Sequence, residues 1–232
     1  AWGNYKYQSK SKKNLLYVKE QKELEFLTFY SDCINFSRDL INSPANKLNP
    51  STYYSKIKNN NLFKSFNFID YTEKEINSNF PLTCAVGKSS SSKPKVIEIT
   101  NRKLSKKDKP LVIIGKGVTF DTGGVNIKPG TSMRNMKKDM GGSAIAISLF
   151  LLANYFLKKT KIVLIAPIAE NAISSKSMRP GDVYSSVSGK SVEIAHTDAE
   201  GRLLLADAIE KASSYNPCTV SYTHLQPTRP ST

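Results

Sequence analysis

The sequence predicts an α/β fold: a mixed, mostly parallel sheet flanked by helices on both faces. Three observations lead there. VIEI at 96–99, LVIIG at 111–115 and IVLIAPIA at 162–169 are continuous β-branched runs without polar alternation, the pattern of strands buried on both faces. A long apolar stretch over 139–157 stands between the last two, and a second helical pattern covers 199–214. Strand, helix, strand, helix is the order of an α/β domain, whose ligands gather where loops leave the carboxyl ends of the strands.

The other elements follow in chain order. Between 22 and 42, Leu24, Phe26, Leu27, Tyr30, Ile34, Phe36 and Leu40 recur at helical spacing, and the helix ends at Ser43-Pro44. Ser51 is placed to cap a short helix running to Lys58. The segment 59–94 is rich in Asn, Ser and Lys, and its apolar pieces FNFID and LTCAV read as weak strands between loops. AIAISLFLLANYF at 144–156 falls short of a membrane span and fits a buried helix, so no membrane anchor is visible. After the helix ending near Asn216-Pro217, CTV begins a strand. The following SYTHLQPTRPST (221–232) is polar and proline-bearing and reads as a non-native tail.

Composition narrows the class. A chain of 232 residues with 39% hydrophobic content can bury one sizeable core. Its net charge of +15 permits attraction to nucleic acid, yet the lysines are spread among Asn and Ser and no groove-reading motif is present. Cys33, Cys84 and Cys218 are too few and too far apart for a disulfide framework, which fits reduced thiols in a cytoplasmic protein. The opening AWGNYKYQSKSKK has no apolar core and is not a secretory signal.

Three segments carry chemistry. GKGVTFDTGGVNIKPG (115–130) follows a strand and places Lys116, Asp121 and Lys128 near its carboxyl end. It is neither a phosphate loop nor a dinucleotide fingerprint. SMRNMKKDMGGSAIAI (132–147) sets Asp139 at the head of the apolar helix, as an N-cap or as a ligand. Met136 is open between core packing and a pocket wall. HTDAEGRLLLADA (196–208) crowds Asp198, Glu200 and Arg202 ahead of a helix. Carboxylates from three separated segments suit hard or borderline divalent cations, and a lysine can join them if its amine is neutral. A dinuclear phosphoesterase is disfavoured, because the only histidines are His196 and His224.

GKGVTFDTGG, IKPG, MKKDMGG and TDAEGRLLLADA, in this order and at these intervals, resemble the signatures of the leucyl aminopeptidase (M17, cytosolic aminopeptidase) family. RDLINSPAN at 38–46, APIAEN, MRPGDV and SGKSVEI extend the likeness over about 22–220. The resemblance implies an aminopeptidase that removes N-terminal Leu and other apolar residues from peptides, using two divalent metal ions (zinc or manganese) and the water they activate. It implies metal ligation by Lys116, Asp121, Asp139, Asp198 and Glu200, with Asp121 and Glu200 bridging. It further implies that Lys128 polarises the scissile carbonyl, that Arg202 holds a bicarbonate, and that Met136 lines the pocket for the substrate's first side chain. Peptide substrates and a homo-hexamer are implied for the full-length protein.

Measured against that family, residues 1–21 read as the remnant of an N-terminal domain and linker, 22–220 as an incomplete catalytic domain, and 221–232 as the foreign tail. A truncated catalytic domain of this kind is expected to be inactive in isolation. His196 stands where the family generally has Asn. A basic nucleic-acid-binding protein, or a non-catalytic fragment of the family, is the alternative.

Overall fold

The computed structural model describes residues 20–224; the expected N-terminal remnant lies almost wholly outside this range, and so do residues 225–232 of the expected tail. The chain begins with α1 (Gln21–Asn42) and α2 (Pro50–Lys58). The cap of α2 is Asn49 rather than Ser51. Its side chain accepts from Thr52 N at 3.0 Å while Asn49 N donates back to Thr52 Oγ1 at 2.9 Å. Pro50 supplies the reason: its fixed φ and missing N–H suit the first helical position, which moves the start two residues earlier.

A 3-10 turn (Asn61–Phe63) and strand β1 (Asn67–Ile69) follow, then α3 (Glu73–Asn79) and α4 (Pro81–Gly87). LTCAV is therefore helical, not a weak strand. A short apolar run fits either state, and here Leu82, Ala85 and Val86 bury one helical face. The N-terminus of α4 has no cap from its own segment. Asp207, far along the chain, supplies one, its Oδ2 accepting from Thr83 N at 2.7 Å and Thr83 Oγ1 at 2.8 Å.

The α/β order then appears as expected: β2 (Lys95–Thr100), β3 (Leu111–Gly115), β4 (Gly117–Asp121), a single turn α5 (Gly130–Met133), and a 3-10 turn (Met136–Lys138) leading to α6 (Gly141–Phe156). After α6 come β5 (Ile162–Asn171), the hairpin β6 (Val183–Ser185) and β7 (Ser191–Glu193), a 3-10 turn (Thr197–Ala199), α7 (Gly201–Ser213) and β8 (Thr219–Thr223). The main sheet runs β1-β2-β5-β3-β8, with β4 also on β5. Pairings of β5 with β3 and β4, and of β3 with β8, are parallel, whereas β1–β2 and β2–β5 are antiparallel. The last strand runs three residues into the stretch expected to be foreign: Ser221, Tyr222 and Thr223 pair with Ile113, Ile114 and Gly115. Thr, Val and Tyr suit the pleated edge of a sheet, where one face can stay wet.

Strands β3 and β4 are two halves of one line. The first half of β5 pairs with β3 as far as Ile114↔Ile165, and pairing resumes with β4 at Gly117↔Ile168. Lys116 occupies the gap, its N–H donating to Thr223 O at 3.2 Å and its carbonyl accepting from Ser143 N at 2.8 Å. Pro167 of β5 lies opposite this break. A proline is normally barred from a central strand because it cannot donate, and this position asks for no donor on that side.

Alternate residues face opposite layers. Ile97, Ile99, Ile113, Leu164 and Ile168 pack under α1, α2 and α6. Val96, Val112, Ile114, Val163 and Ile165 pack under α3 and α7. Helix α6 lies inside the first layer with Ile147 and Phe150 fully buried, each worth roughly 1.5–3 kcal/mol. Glu98 is the exception in its strand. It is fully buried, and its carboxylate accepts from Tyr71 OH at 2.5 Å and from Tyr215 OH.

At the sheet end away from Lys116, the 101–110 loop is tied to the turn after α6. Asn101 Nδ2 donates to Thr160 O at 3.0 Å, and Arg102 donates to Lys158 O. Arg102, Lys103, Lys106, Lys107, Lys109, Lys158, Lys159 and Lys161 thereby share one end of the molecule, with Asp108 paired to Lys161 at 2.6 Å.

Candidate metal centre

The strand order brings four segments to one place. Lys116 comes from the break between β3 and β4, Asp121 from the end of β4, Asp139 from the turn before α6, and Asp198 and Glu200 from the turn that opens α7. Lys116 Nζ lies 2.9 Å from Asp139 Oδ2 and 2.9 Å from Glu200 Oε1. Lys128, in the loop after β4, lies 2.9 Å from Asp121 Oδ2 and also contacts Asp198 Oδ1. Carboxylate oxygens of Asp121, Asp198 and Glu200 all fall within 4.8 Å of one another. Asp139 does not cap α6; its carboxylate faces Lys116 instead.

Burial makes this an expensive arrangement. Lys116, Asp121, Asp139 and Glu200 are each at most 3% exposed. Burial raises the Asp121 carboxyl, against hydrogen bonds from Lys128 and Gly123, and it raises Asp139 against the charge of Lys116. It pushes Glu200 up to about 8, with Lys116 opposing and Asp121 and Asp139 adding to the rise. For Lys116, burial acts downward, but the charges of Glu200 and Asp139 prevail and the ammonium is favoured. Lys128 is likewise raised, its burial outweighed by Asp198 and Asp121.

Were all four carboxylates ionised they would exceed the two ammonium groups by two negative charges, and burial answers by raising the carboxyls so that protons stand in for the missing positive charge. Asp139 Oδ2 and Asp198 Oδ1 are buried without a hydrogen bond of good geometry. Such a set fits divalent cations, which would supply the missing positive charge to hard oxygen donors and could take the Lys116 amine once its proton is displaced.

The surroundings hold residues that sequence reasoning missed. Asn171, at the end of β5, donates through Nδ2 to Asp121 Oδ1 at 2.8 Å and to Thr197 O at 3.1 Å. Thr197 Oγ1 donates to Gly123 O at 2.5 Å and accepts from Asn126 N at 2.9 Å, while Asn126 Oδ1 accepts from Thr197 N at 2.9 Å. Gly123 and Gly124, with φ of 86° and 65°, give the left-handed turn this crossing needs. The only sequence signal was an Asn closing a buried strand. His196 also acquires a role, because its Nδ1 accepts from Asp198 N at 3.2 Å and caps the turn as an Asn would.

Two expected residues stand apart from the cluster. Arg202, in the first turn of α7, is exposed and forms no ion pair among the described residues. Burial lowers the pKa of His224, and the charges of Lys116 and Arg202 lower it further. Met136 is buried in the 3-10 turn that packs on β4 and α1. Two surface clefts, of about 500 and 330 Å³, are lined by residues of α2 and by α3–α4 with Tyr184, and neither includes any of the expected site residues.

Comparison with known proteins agrees with this geometry. The sequence model described as the cytosol aminopeptidase family, catalytic domain, matches residues 35–223. The probable cytosol aminopeptidase of Corynebacterium efficiens is 41% identical over 187 residues, covering 80% of this chain and 37% of that protein. The cytosol aminopeptidase of Encephalitozoon cuniculi is 40% identical over 79% of this chain and 38% of its own length. The chain thus spans little more than a third of these relatives. Among solved structures, the cytosol aminopeptidase of Coxiella burnetii superposes with a TM-score of 0.78 at 36% identity, over 86% of this chain and 43% of that one. The bottromycin maturation enzyme BotP in complex with Mn gives 0.75 at 30% identity, over 85% and 43%. A buried lysine–carboxylate cluster at the carboxyl ends of parallel strands, on a chain matched by that model from 35 to 223, leads to one conclusion: the chain belongs to the cytosol aminopeptidase family.

Proposed function

We propose that this chain carries the metal-binding part of a dinuclear metallo-aminopeptidase, whose full-length form removes N-terminal residues, Leu and other apolar ones among them, from peptides in the cytoplasm. The observation that carries this reading is the convergence of Lys116, Asp121, Asp139, Asp198 and Glu200 in one buried cluster with too little positive charge of its own. Those five residues would hold two divalent cations, zinc or manganese, which supply Lewis acidity and a nucleophilic water near neutral pH. Lys128 brings an ammonium to the rim of the cluster, where it can donate to the developing oxyanion of a scissile amide. Arg202 offers a guanidinium with no ion pair among the described residues at the helix start, suited to a bidentate hold on bicarbonate. Met136 would back the pocket for the first side chain. Homo-hexamer assembly is proposed for the full-length protein, with this chain alone inactive.

The test is hydrolysis of Leu-p-nitroanilide by the full-length protein before and after removal of metal by a chelator. Activity that survives complete metal removal would refute the reading, and robust turnover by the isolated 232-residue chain would refute its inactivity.

One observation favours a second reading, non-specific polyanion binding. Eight basic side chains from 101–110 and 157–161 collect at the end of the sheet away from the cluster. Retention on DNA that falls steeply with salt would support it, and retention indifferent to their replacement would remove it.

A further inference from the structure

We infer that the Asn171 side-chain amide is a positioning group, locking the Asp121 carboxylate and the turn that carries Asp198 into one frame. The inference rests on reading the cluster as a metal centre, and it concerns a residue outside the ligand set.

An amide NH2 has two hydrogens, and both are used, one on Asp121 Oδ1 and one on the carbonyl of Thr197, the residue before Asp198. The opposite amide orientation would aim an oxygen at two acceptors, so the partners dictate the rotamer. Asp121 Oδ1 is then fully engaged, by Asn171 Nδ2 and by Gly123 N at 2.9 Å. Only Oδ2 is left to face Lys128 and the cluster. The same amide fixes the height of the 197–199 turn against β4. Ligands from two distant segments therefore share one donor.

The backbone of Asn171 is anchored separately. Its carbonyl accepts from Thr122 N at 3.0 Å and from Thr122 Oγ1 at 2.9 Å. Side-chain replacement thus leaves the strand end held. Asn171 is 2% exposed, and Leu keeps the branching and number of side-chain heavy atoms, with bulkier methyl groups that cannot donate. With Leu, Asp121 gains freedom to rotate and Thr197 O loses its partner.

The experiment uses the full-length protein, stripped of metal and reloaded with Mn2+ by equilibrium dialysis, with thermal unfolding of the metal-free form measured alongside. Asn171→Leu should weaken Mn2+ binding by about 10- to 100-fold, while the metal-free form still unfolds cooperatively at a somewhat lower temperature, because Thr197 O is left unpaired. Thr122→Val removes two hydrogen bonds beside the same strand end, from Oγ1 to Asn171 O and from Gly124 N to Oγ1, without removing a partner of the Asp121 carboxylate, and should stay within about twofold of the parent. Unchanged affinity in Asn171→Leu overturns the inference. So does an equal loss in Thr122→Val, which would mean general loosening. If Asn171→Leu fails to fold, Asn171→Ala is judged on the same scale, leaving space instead of apolar bulk. Asp121→Asn separates the two levels. Its failure to weaken binding would remove the metal centre and the inference with it, whereas loss in Asp121→Asn with none in Asn171→Leu removes the inference alone.

Discussion

Gly201 lies so close to Lys116 that a Cβ on the glycine would stand 2.5 Å from Lys116 Cε and 2.8 Å from Nζ. The lysine is threaded over a bare helix turn, between Asp139 on one side and Glu200 on the other. Any side chain at 201 must shift the end of that lysine.

Gly201→Ala is therefore expected to displace Lys116 and weaken cation binding by about 10- to 100-fold, although Ala is the better helix former. Metal content after dialysis of the full-length protein checks this. Parent-like content would show that the lysine can yield without cost.

Asp121→Ala should abolish both metal binding and turnover. Lys128→Ala should behave differently, since it removes a counter-charge that competes with the cations for Asp121 and Asp198. Metal content should hold while kcat falls by about 10²–10³-fold, the usual loss for an oxyanion donor. Parallel loss of metal and rate would argue against the role given to Lys128.

Glu200 carries a pH signature. Burial raises its carboxyl from 4.5 to about 8, so the folded metal-free chain prefers the protonated form. A raised carboxyl contributes stability that is complete below the unfolded value and is lost as pH rises through the folded one. In the absence of cations, stability contributed at this site should decline between about pH 4.5 and 8. Cations would take the place of that proton, and of the one Lys116 holds. Calorimetric titration with Mn2+ at pH 7 in buffers of different ionisation heat should report proton release. A buffer-independent heat would contradict it.

Asp207 makes a separate test, remote from the ligands. Burial lifts it from 3.8 to about 6, opposed by Thr83. By the same sign, its contribution falls as pH rises from about 4 to about 6, by on the order of 3 kcal/mol. Asp207→Asn keeps an acceptor for Thr83 and should flatten that part of the stability profile without loss at pH 7. Urea unfolding at pH 4, 5, 6 and 7 would show it, and an unaltered slope would rule Asp207 out as its source.

The ligand set was legible because its chemistry is carried by residue types. Few proteins place Lys116, Asp121, Asp139, Asp198 and Glu200 at glycine-rich strand ends for packing alone. The strands were legible for the opposite reason, as apolar runs with nothing polar to place. Glu98 broke that second rule unseen, because its partners Tyr71 and Tyr215 lie in other elements. Asn171, Asn126 and Thr197 were missed on the same ground, since a neutral amide or hydroxyl has meaning only once its partner is known. Strand β4 hid behind its flanking glycines, and Pro167 was the overlooked sign that a neighbouring strand is interrupted there.

The hydrogen bond from Lys116 N to Thr223 O has a consequence for synthesis on the ribosome. Chains are made and begin to fold from the amino end. The first ligand in the sequence receives this backbone partner only after more than a hundred further residues have been added. A nascent chain interrupted ahead of β8 would already contain every acidic residue of the cluster, yet would leave the lysine at its centre without the edge that pins it. Translation order thus makes this edge of the cluster one of its last parts to be secured.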